Sequence, residues 1–325
     1  MRSFDHVNAG SVREVVSLLE RHGKRAVLIA GGTDLLTVLK DGILPDPPEL
    51  VINIKTIPGL DAVEEDENGL RIGALARLAN IAASPRIRDR FPVLAEAAAS
   101  VGTPALRNMG TVGGNLCQDV RCWYYRYPHR MGGRMICRRK GEGPCFVLQG
   151  DSRYSAVLGA RTCFAVCPSD TATALAALRA RVRVTGPGGD RIVSVRDLYG
   201  AHGMALETGE LVTELFVPAP PEGALQAYLK FTEREPVDFA VAGVAAVVPV
   251  ADGRCAGASI VLGGVAPFPY RARAAEELLE GRALDPETAK EAAGTALREA
   301  RPFGMNRYKV TLAAELVRRA LKGDG

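Results

Sequence analysis

The sequence predicts an α+β fold, and three features of the chain support this prediction. Residues 26–54 read as strand, glycine turn, helix and strand, which is a βαβ pattern. A second glycine-rich turn opens the stretch 110–170, which holds six of the seven cysteines. Beyond a proline-rich segment at 218–223, strands are followed by helices, which is typical of a separate α+β domain.

Residues 1–60 are predicted to form an α/β subdomain. Ser11 is suited to cap a helix over 12–22, because a serine hydroxyl can accept from the first free N–H groups, and Gly23 would end that helix. Apolar strands are predicted at 26–30 and 50–54.

The turn Gly31-Gly32-Thr33-Asp34 joins the first of these strands to a short helix. Glycines at such a place let backbone N–H groups approach an anion, and the helix dipole adds to the attraction. The three spaced glycines of the dinucleotide fingerprint are missing, so that common fold is not favoured. Two glycines after a strand can also form only a tight turn, and the turn alone leaves both interpretations open.

Residues 61–217 are predicted to form a second subdomain, interrupted by a cysteine-rich insert at 118–167. Its predicted elements are a strand at 69–74 after an acidic turn at 64–68, helices at 78–83 and 92–101 separated by Pro85, a helix at 171–181, and strands at 182–184 and 192–195.

Residues 224–325 are predicted to form a C-terminal α+β domain after the linker. Its predicted elements are strands at 227–231, 239–250 and 259–265, and helices at 272–280, 286–300 and 310–322.

Composition narrows the class of protein. The chain has 325 residues, 47% hydrophobic and 24% charged, which suits a globular protein with two or three domains. A net charge of +4 is too small to indicate nucleic acid binding, and the chain has no apolar run of membrane-spanning length or signal peptide pattern. We therefore expect a cytoplasmic protein, in which clustered cysteines of odd number indicate metal binding rather than disulfides.

The two glycine turns together suggest a single anion site. Thr33 and Thr111 can donate to phosphate oxygens, and Asn115 can fix its own turn through a side-chain hydrogen bond. Two such turns in different subdomains could hold one pyrophosphate between them.

Both turns resemble the FAD signatures of a known family, the flavin subunits of molybdenum hydroxylases. The similar segments are Ile29-Ala30-Gly31-Gly32-Thr33-Asp34-Leu35 and Arg107-Asn108-Met109-Gly110-Thr111-Val112-Gly113-Gly114-Asn115. The resemblance continues through Pro168-Ser169-Asp170, through 209–218, and through 228–234 with Asp238. It implies a two-part FAD-binding fold of the vanillyl-alcohol oxidase type plus a C-terminal domain of antiparallel strands and helices.

The resemblance also implies a set of FAD-binding residues. These are Ile29, Ala30, Gly31, Gly32, Thr33, Asp34, Leu35, Val101, Gly110, Thr111, Gly113, Gly114, Asn115, Gln118, Asp170, Val212 and Lys230. Lys230 is expected near the flavin ring, where a cation would stabilise the anionic reduced form. Outside the motif, Lys230 would be an ordinary solvated strand residue.

The insert offers thiolates for a metal centre. Four cysteines can hold a [4Fe-4S] cluster or a structural zinc ion, but the short paired spacing of zinc ribbons is absent. The run from Cys122 to Arg126, with Cys137 and Cys145, resembles the [4Fe-4S] loop of the 4-hydroxybenzoyl-CoA reductase and periplasmic aldehyde oxidoreductase flavin subunits. That resemblance implies Cys163 as the fourth ligand, with Cys167 as the second choice.

The resemblance implies an electron-transfer subunit rather than a complete enzyme. Substrate chemistry on an aromatic, heterocyclic, aldehyde or aryl-CoA compound would occur in a molybdopterin-binding large subunit, with a [2Fe-2S] small subunit completing a heterotrimer. Ferredoxin or NAD(P)H would be the external electron partner. The alternatives are a stand-alone flavin oxidase or NADH-linked dehydrogenase, and a zinc-stapled assembly protein without enzymatic activity.

Overall fold

The computed structural model describes residues 2–133, 135–200, 203–234 and 237–323. Helix and sheet are mixed throughout, at 33% and 24% of residues, as the α+β prediction requires. The helices are α1 Val12–His22, α2 Leu35–Asp41, α3 Leu78–Ala83, α4 Pro85–Arg90, α5 Pro92–Ala99, α6 Pro104–Met109, α7 Val112–Cys117, α8 Asp170–Ala177, α9 Arg273–Leu279, α10 Pro286–Ala296 and α11 Tyr308–Lys322.

Among the described residues, the strands form three main sheets and two small hairpins. The strands are β1 Asp5–Asn8, β2 Ala26–Ile29, β3 Leu50–Asn53, β4 Val63–Asp66, β5 Gly69–Gly73, β6 Arg181–Gly186, β7 Gly189–Ser194, β8 Tyr199–Gly200, β9 Gly203–Met204, β10 Leu211–Pro218, β11 Leu225–Phe231, β12 Ala242–Val248, β13 Val250–Ala251, β14 Arg254–Cys255, β15 Ser259–Gly263 and β16 Tyr270–Arg271.

The N-terminal sheet is parallel, with strand order β1-β3-β2. Helix α1 begins at Ser11, whose hydroxyl accepts from the Glu14 N–H at 3.2 Å, and ends at Gly23 with φ of 56°, as predicted. Val15, Leu19 and Ile52 are among the buried residues between helix and sheet. Strand β1 was not predicted, because its four residues DHVN are mostly exposed and carry no apolar alternation.

The second sheet is antiparallel, with strand order β4-β5-β10-β6-β7, and its core contains the helices α3 to α5 and α8. The third sheet is antiparallel, with order β11-β12-β15-β16, and packs against α9 to α11. Helix α8 is buried along most of its length, because it packs against helices α5 and α7 and against strands β12 and β15 of the third sheet. Helix α8 therefore connects the helices that pack on the second sheet with the strands of the third sheet.

Several sequence predictions in the middle region were wrong. The segment predicted as an acidic turn at 64–68 contains strand β4, which pairs with β5 as a charged edge strand. Pro85 separates α3 from the next helix as predicted, but it also starts α4, with Ser84 as the N-cap. The predicted glycine turn at 110–115 contains the beginning of α7. The helix predicted at 171–181 ends at Ala177.

The insert between α7 and α8 contains little regular structure. In its described part, the helical segments are the short 3₁₀ turns His129–Met131, Arg138–Lys140 and Phe146–Leu148. Its two ends meet where Arg121 and Val166 form an isolated antiparallel bridge. Across the described residues of the whole chain, no helix is both long and apolar enough to span a membrane.

Candidate functional site

A cavity of about 580 Å³, here called the central cavity, lies where the three sheets and the insert meet. This volume is within the range of pockets that hold cofactors. All the predicted FAD-binding residues line it except Ile29: Ala30, Gly31, Gly32, Thr33, Asp34, Leu35, Val101, Gly110, Thr111, Gly113, Gly114, Asn115, Gln118, Asp170, Val212 and Lys230.

Ile29 supports the first turn from behind. A Cβ atom on Gly32 would lie 3.2 Å from the Ile29 Cδ1, and Gly32 has a φ of +72°, which favours glycine. A Cβ on Gly31 would lie only 2.0 Å from the main-chain oxygen of Met109, just before the second turn. The two turns therefore touch through their backbones, and glycine is required for that approach.

The first turn presents unused hydrogen-bond donors. Within the described part of the chain, the backbone N–H groups of Gly31, Gly32, Thr33 and Asp34 donate to no protein acceptor. These groups precede α2 at the wall of the central cavity. Free amides in this arrangement suit a phosphate or another anionic group.

The second turn is a capped helix start rather than a free loop. The Thr111 hydroxyl accepts from the Gly114 N–H at 3.1 Å, and the Gly113 N–H donates to the Ala74 carbonyl at 2.8 Å. The prediction that Asn115 fixes its own turn was wrong. Its Oδ1 accepts from the hydroxyls of Ser169 and Thr171, both at 2.6 Å, because α7 packs directly against α8.

A buried ion pair closes the other side of the central cavity. The Lys230 Nζ donates to the Asp170 Oδ2 at 2.8 Å and to the Ser100 carbonyl at 2.9 Å, and the Tyr228 hydroxyl donates to the Asp170 Oδ1 at 2.8 Å. Burial raises the pKa of Asp170, and Lys230 and Tyr228 oppose that rise. The Lys230 side chain is only 8% exposed, so it is not a solvated strand residue.

Arginines of the insert bind the carboxylate of the first turn, which the sequence did not indicate. Arg126 forms two hydrogen bonds with Asp34, at 2.8 and 3.1 Å, and the Arg121 Nη2 lies 2.7 Å from the Asp34 Oδ1. Asp34 thus does not cap its own helix α2. Burial alone would raise the pKa of Asp34, but Arg126 and Arg121 outweigh it and lower that pKa.

The four predicted cluster ligands line one further cavity, here called the cysteine cavity: Cys122, Cys137, Cys145 and Cys163. Burial raises the pKa of the Cys122 thiol, and the nearby Cys163 and Cys137 thiols raise it further. Among the residues that the structure describes, however, no three His, Cys, Asp or Glu side chains are arranged to hold a metal ion.

Cys167 lies apart from these four residues. It is buried at the wall of the central cavity, and its thiol pKa is raised to about 12 by burial. Its neighbour Tyr199 also lies near Cys117, which lines the central cavity as well. The structure therefore groups Cys163, and not Cys167, with the other insert cysteines.

Comparison with known families accounts for nearly the whole chain. The model described as "FAD binding domain in molybdopterin dehydrogenase" matches residues 2–220. The model described as "CO dehydrogenase flavoprotein C-terminal domain" matches residues 227–323.

Individual relatives and a solved structure support the same family assignment. The aldehyde oxidoreductase FAD-binding subunit PaoB of Escherichia coli (strain K12) is 35% identical, over 96% of this chain and 95% of its own. The carbon monoxide dehydrogenase medium chain of Afipia carboxidovorans is 29% identical, over 98% and 96%. A solved structure of carbon monoxide dehydrogenase from Hydrogenophaga pseudoflava superposes with a TM-score of 0.79 at 29% identity, covering 99% of this chain and 97% of that one.

The chain therefore belongs to the FAD-binding medium subunits of the molybdenum hydroxylase family. Within that family it is of the carbon monoxide dehydrogenase and aldehyde oxidoreductase type, and its relatives are oxidoreductase subunits.

Proposed function

We propose that this chain is the electron-transfer subunit of a heterotrimeric molybdenum hydroxylase, dehydrogenase or reductase, and that it carries FAD and a [4Fe-4S] cluster. The observation that carries the proposal is the central cavity, which brings both glycine turns and the Asp170–Lys230 pair to one site. The relatives are named as medium chains or subunits of oxidoreductases, which supports a multi-subunit assembly.

The residues of the central cavity fit FAD by their chemistry. The free N–H groups of the first turn, with the Thr33 hydroxyl, would bind the pyrophosphate. Asp170 and Lys230 would hold the flavin ring end, where both charges already have a partner. Bound FAD supplies chemistry that connects two-electron and one-electron steps. The chain's own part is to bind, orient and shield that group.

The insert fits a four-thiolate cluster by its donors. Cys122, Cys137, Cys145 and Cys163 line one cavity, and the placement of Cys167 in the other cavity supports Cys163 as the fourth ligand. A [4Fe-4S] cluster supplies one-electron transfer.

The remaining parts of the proposal concern architecture and partners. The fold would be of the vanillyl-alcohol oxidase type, with subdomains at 1–60 and 61–217 and a C-terminal domain at 224–325. A molybdopterin-binding large subunit would oxidise or reduce an aromatic, heterocyclic, aldehyde or aryl-CoA substrate, and a small subunit would carry [2Fe-2S] centres. The complex would be cytoplasmic and exchange electrons with ferredoxin or NAD(P)H.

Anaerobic purification of the chain together with its partner subunits tests this proposal. We expect one FAD and about four iron and four acid-labile sulfide per chain beyond the content of the small subunit, with flavin bands over a broad iron–sulfur shoulder. Cys163→Ser should lose the cluster, and the matched Cys167→Ser variant should keep it. Zinc without iron would refute the cluster, and a full cluster in Cys163→Ser would refute that ligand assignment alone.

A further inference from the structure

One insert side chain, Arg139, faces both cavities. Among the described residues it is the one that lines the central cavity and the cysteine cavity together. Its side chain is only 10% exposed, and its Nη2 donates to the Asp119 Oδ1 at 2.7 Å. A Cβ on Gly203 would lie 3.0 Å from this same Nη2, so Gly203 of strand β9 lies directly against the guanidinium.

The position of Arg139 is fixed by a buried network. Its guanidinium lies 5.3 Å from the centre of the Tyr125 ring, and the Tyr125 hydroxyl donates to Asp119. The Asp119 backbone N–H donates in turn to the Asp34 Oδ2 at 3.1 Å, at the first glycine turn. A continuous chain of contacts thus connects the cysteine cavity with the flavin-binding turn.

The network carries an excess of positive charge. Its ion pairs join the carboxylates of Asp34 and Asp119 to the guanidiniums of Arg121, Arg126 and Arg139, three positive charges against two negative. The buried Lys140, 5.5 Å from the Tyr125 ring, adds a further positive charge. Arginine keeps its charge at any pH that the protein tolerates. In a buried environment that charge is weakly screened, so it acts over longer distances than it would at the surface.

We propose that Arg139 is a shared electrostatic residue that raises the reduction potentials of both redox centres. The inference rests on the proposed function, since it takes the central cavity to hold FAD and the cysteine cavity to hold the cluster. Each centre gains negative charge when it accepts an electron without a proton. A fixed positive charge beside both cavities stabilises both reduced forms, and protein charges near a cofactor tune its potential in this way.

The test is a redox titration of the purified complex, with the flavin followed by absorbance and the cluster by electron paramagnetic resonance. In Arg139→Gln we expect the one-electron reduction equilibrium of each centre to fall about tenfold, which is 59 mV for one electron. In Asp119→Asn the excess charge rises, so both potentials should shift upward. Structural damage alone would not give shifts of opposite sign.

Two further variants make the test specific. Arg139→Lys keeps the positive charge, so the reduction potentials of both centres should stay close to their wild-type values. Arg161→Gln removes an exposed charge of the same insert that lines neither cavity, and it should leave both potentials unchanged. If Arg139→Gln loses FAD, the upward shift of the reduction potentials expected in Asp119→Asn still tests the proposal.

The outcomes separate this inference from the proposed function. A wild-type complex with no iron and sulfide beyond the content of the small subunit would refute the cluster, while the flavin potential would continue to test Arg139. A wild type with both centres whose potentials do not move in Arg139→Gln and Asp119→Asn would overturn the inference and leave the proposed function intact.

Discussion

Gly31 is the residue at which the two turns of the central cavity touch. Its backbone packs against the Met109 carbonyl, so any side chain at this position would displace one of the turns. The sequence indicated a close backbone approach here, because glycines between a strand and a helix are typical of such sites. It did not indicate that the backbone of Gly31 approaches the second glycine turn of the same chain.

Gly31→Ala should weaken FAD binding and destabilise the fold. The added Cβ would collide with main-chain atoms, which cannot rotate away, and overpacking of this kind costs about 1–3 kcal/mol. FAD content after dialysis and urea unfolding would measure both effects. Gly188→Ala is the matched control, since a Cβ there meets nothing within 4 Å. Full FAD retention in Gly31→Ala would contradict the role of the contact.

Among the elements, α11 fastens the insert to the C-terminal domain. The fully buried Lys309 donates to the carbonyls of Tyr154, Ser155 and Gly264, at 3.3, 3.1 and 2.7 Å. Asn306, just before the helix, donates to the Ser155 hydroxyl at 2.9 Å. One helix end therefore holds the far side of the insert and the end of β15 together.

Lys309 should make stability depend on pH. Burial lowers its pKa from 10.5 to about 7, so between these values the unfolded chain binds more protons than the folded chain. The free energy of unfolding should therefore rise with pH across this window, by up to about 1.4 kcal/mol per pH unit, and be insensitive to this group below it. Urea unfolding from pH 7 to 10 would show the rise.

Lys309→Met should remove this contribution, and Lys322→Met, at the exposed end of the same helix, should retain it. Parallel stability curves for wild type and Lys309→Met would show that burial does not perturb this lysine in the folded protein.

The elements also show what local sequence can and cannot predict. Helix α1 was predictable because Ser11 and Gly23 act on adjacent backbone groups. Strand β4 was not, because its acidic residues have no apolar alternation and the strand exists only through its pairing with β5. Helix α7 contains Gly113, a poor helix former, which is required because a Cβ there would lie 2.8 Å from Ala74.

For the residues of the central cavity too, local sequence predicts some contacts and misses those made by residues far apart in the chain. The two glycine motifs predicted which residues line the central cavity, because each turn is formed by residues that are adjacent in the sequence. The partners of Asp34 lie 87 and 92 residues further along the chain, at Arg121 and Arg126. In the sequence these arginines resemble a solvated basic run, and only tertiary packing turns them inward.

At the scale of the whole molecule, the central cavity has walls from all three sheets. Ala30 follows the first sheet, Val212 belongs to the second, and Lys230 belongs to the third. A ligand that contacts all of these walls stabilises the complete assembly rather than one part of it. The cofactor should therefore act as a structural element of the protein.

Adding FAD to the cofactor-depleted protein should raise the unfolding temperature of the whole chain in one transition. The expected stabilisation is about 2.7 kcal/mol when free FAD is one hundred times its Kd. Circular dichroism during heating would measure it. Riboflavin, which lacks the pyrophosphate, should give a smaller shift if the first turn binds that group. Two transitions, of which only one responds to FAD, would contradict the shared cavity.

The bridge between Arg121 and Val166 has a consequence for related subunits. Because the two ends of the insert lie side by side, the length of the insert does not change the path of the chain before and after it. The entropy of closing a loop also grows only slowly with its length. Among the described residues, Val157 and Leu158 of the insert pack into the C-terminal core, and Val120 and Tyr125 pack with Val38 of the N-terminal subdomain. Subunits with a longer or shorter insert should therefore share the same path of α7 and α8.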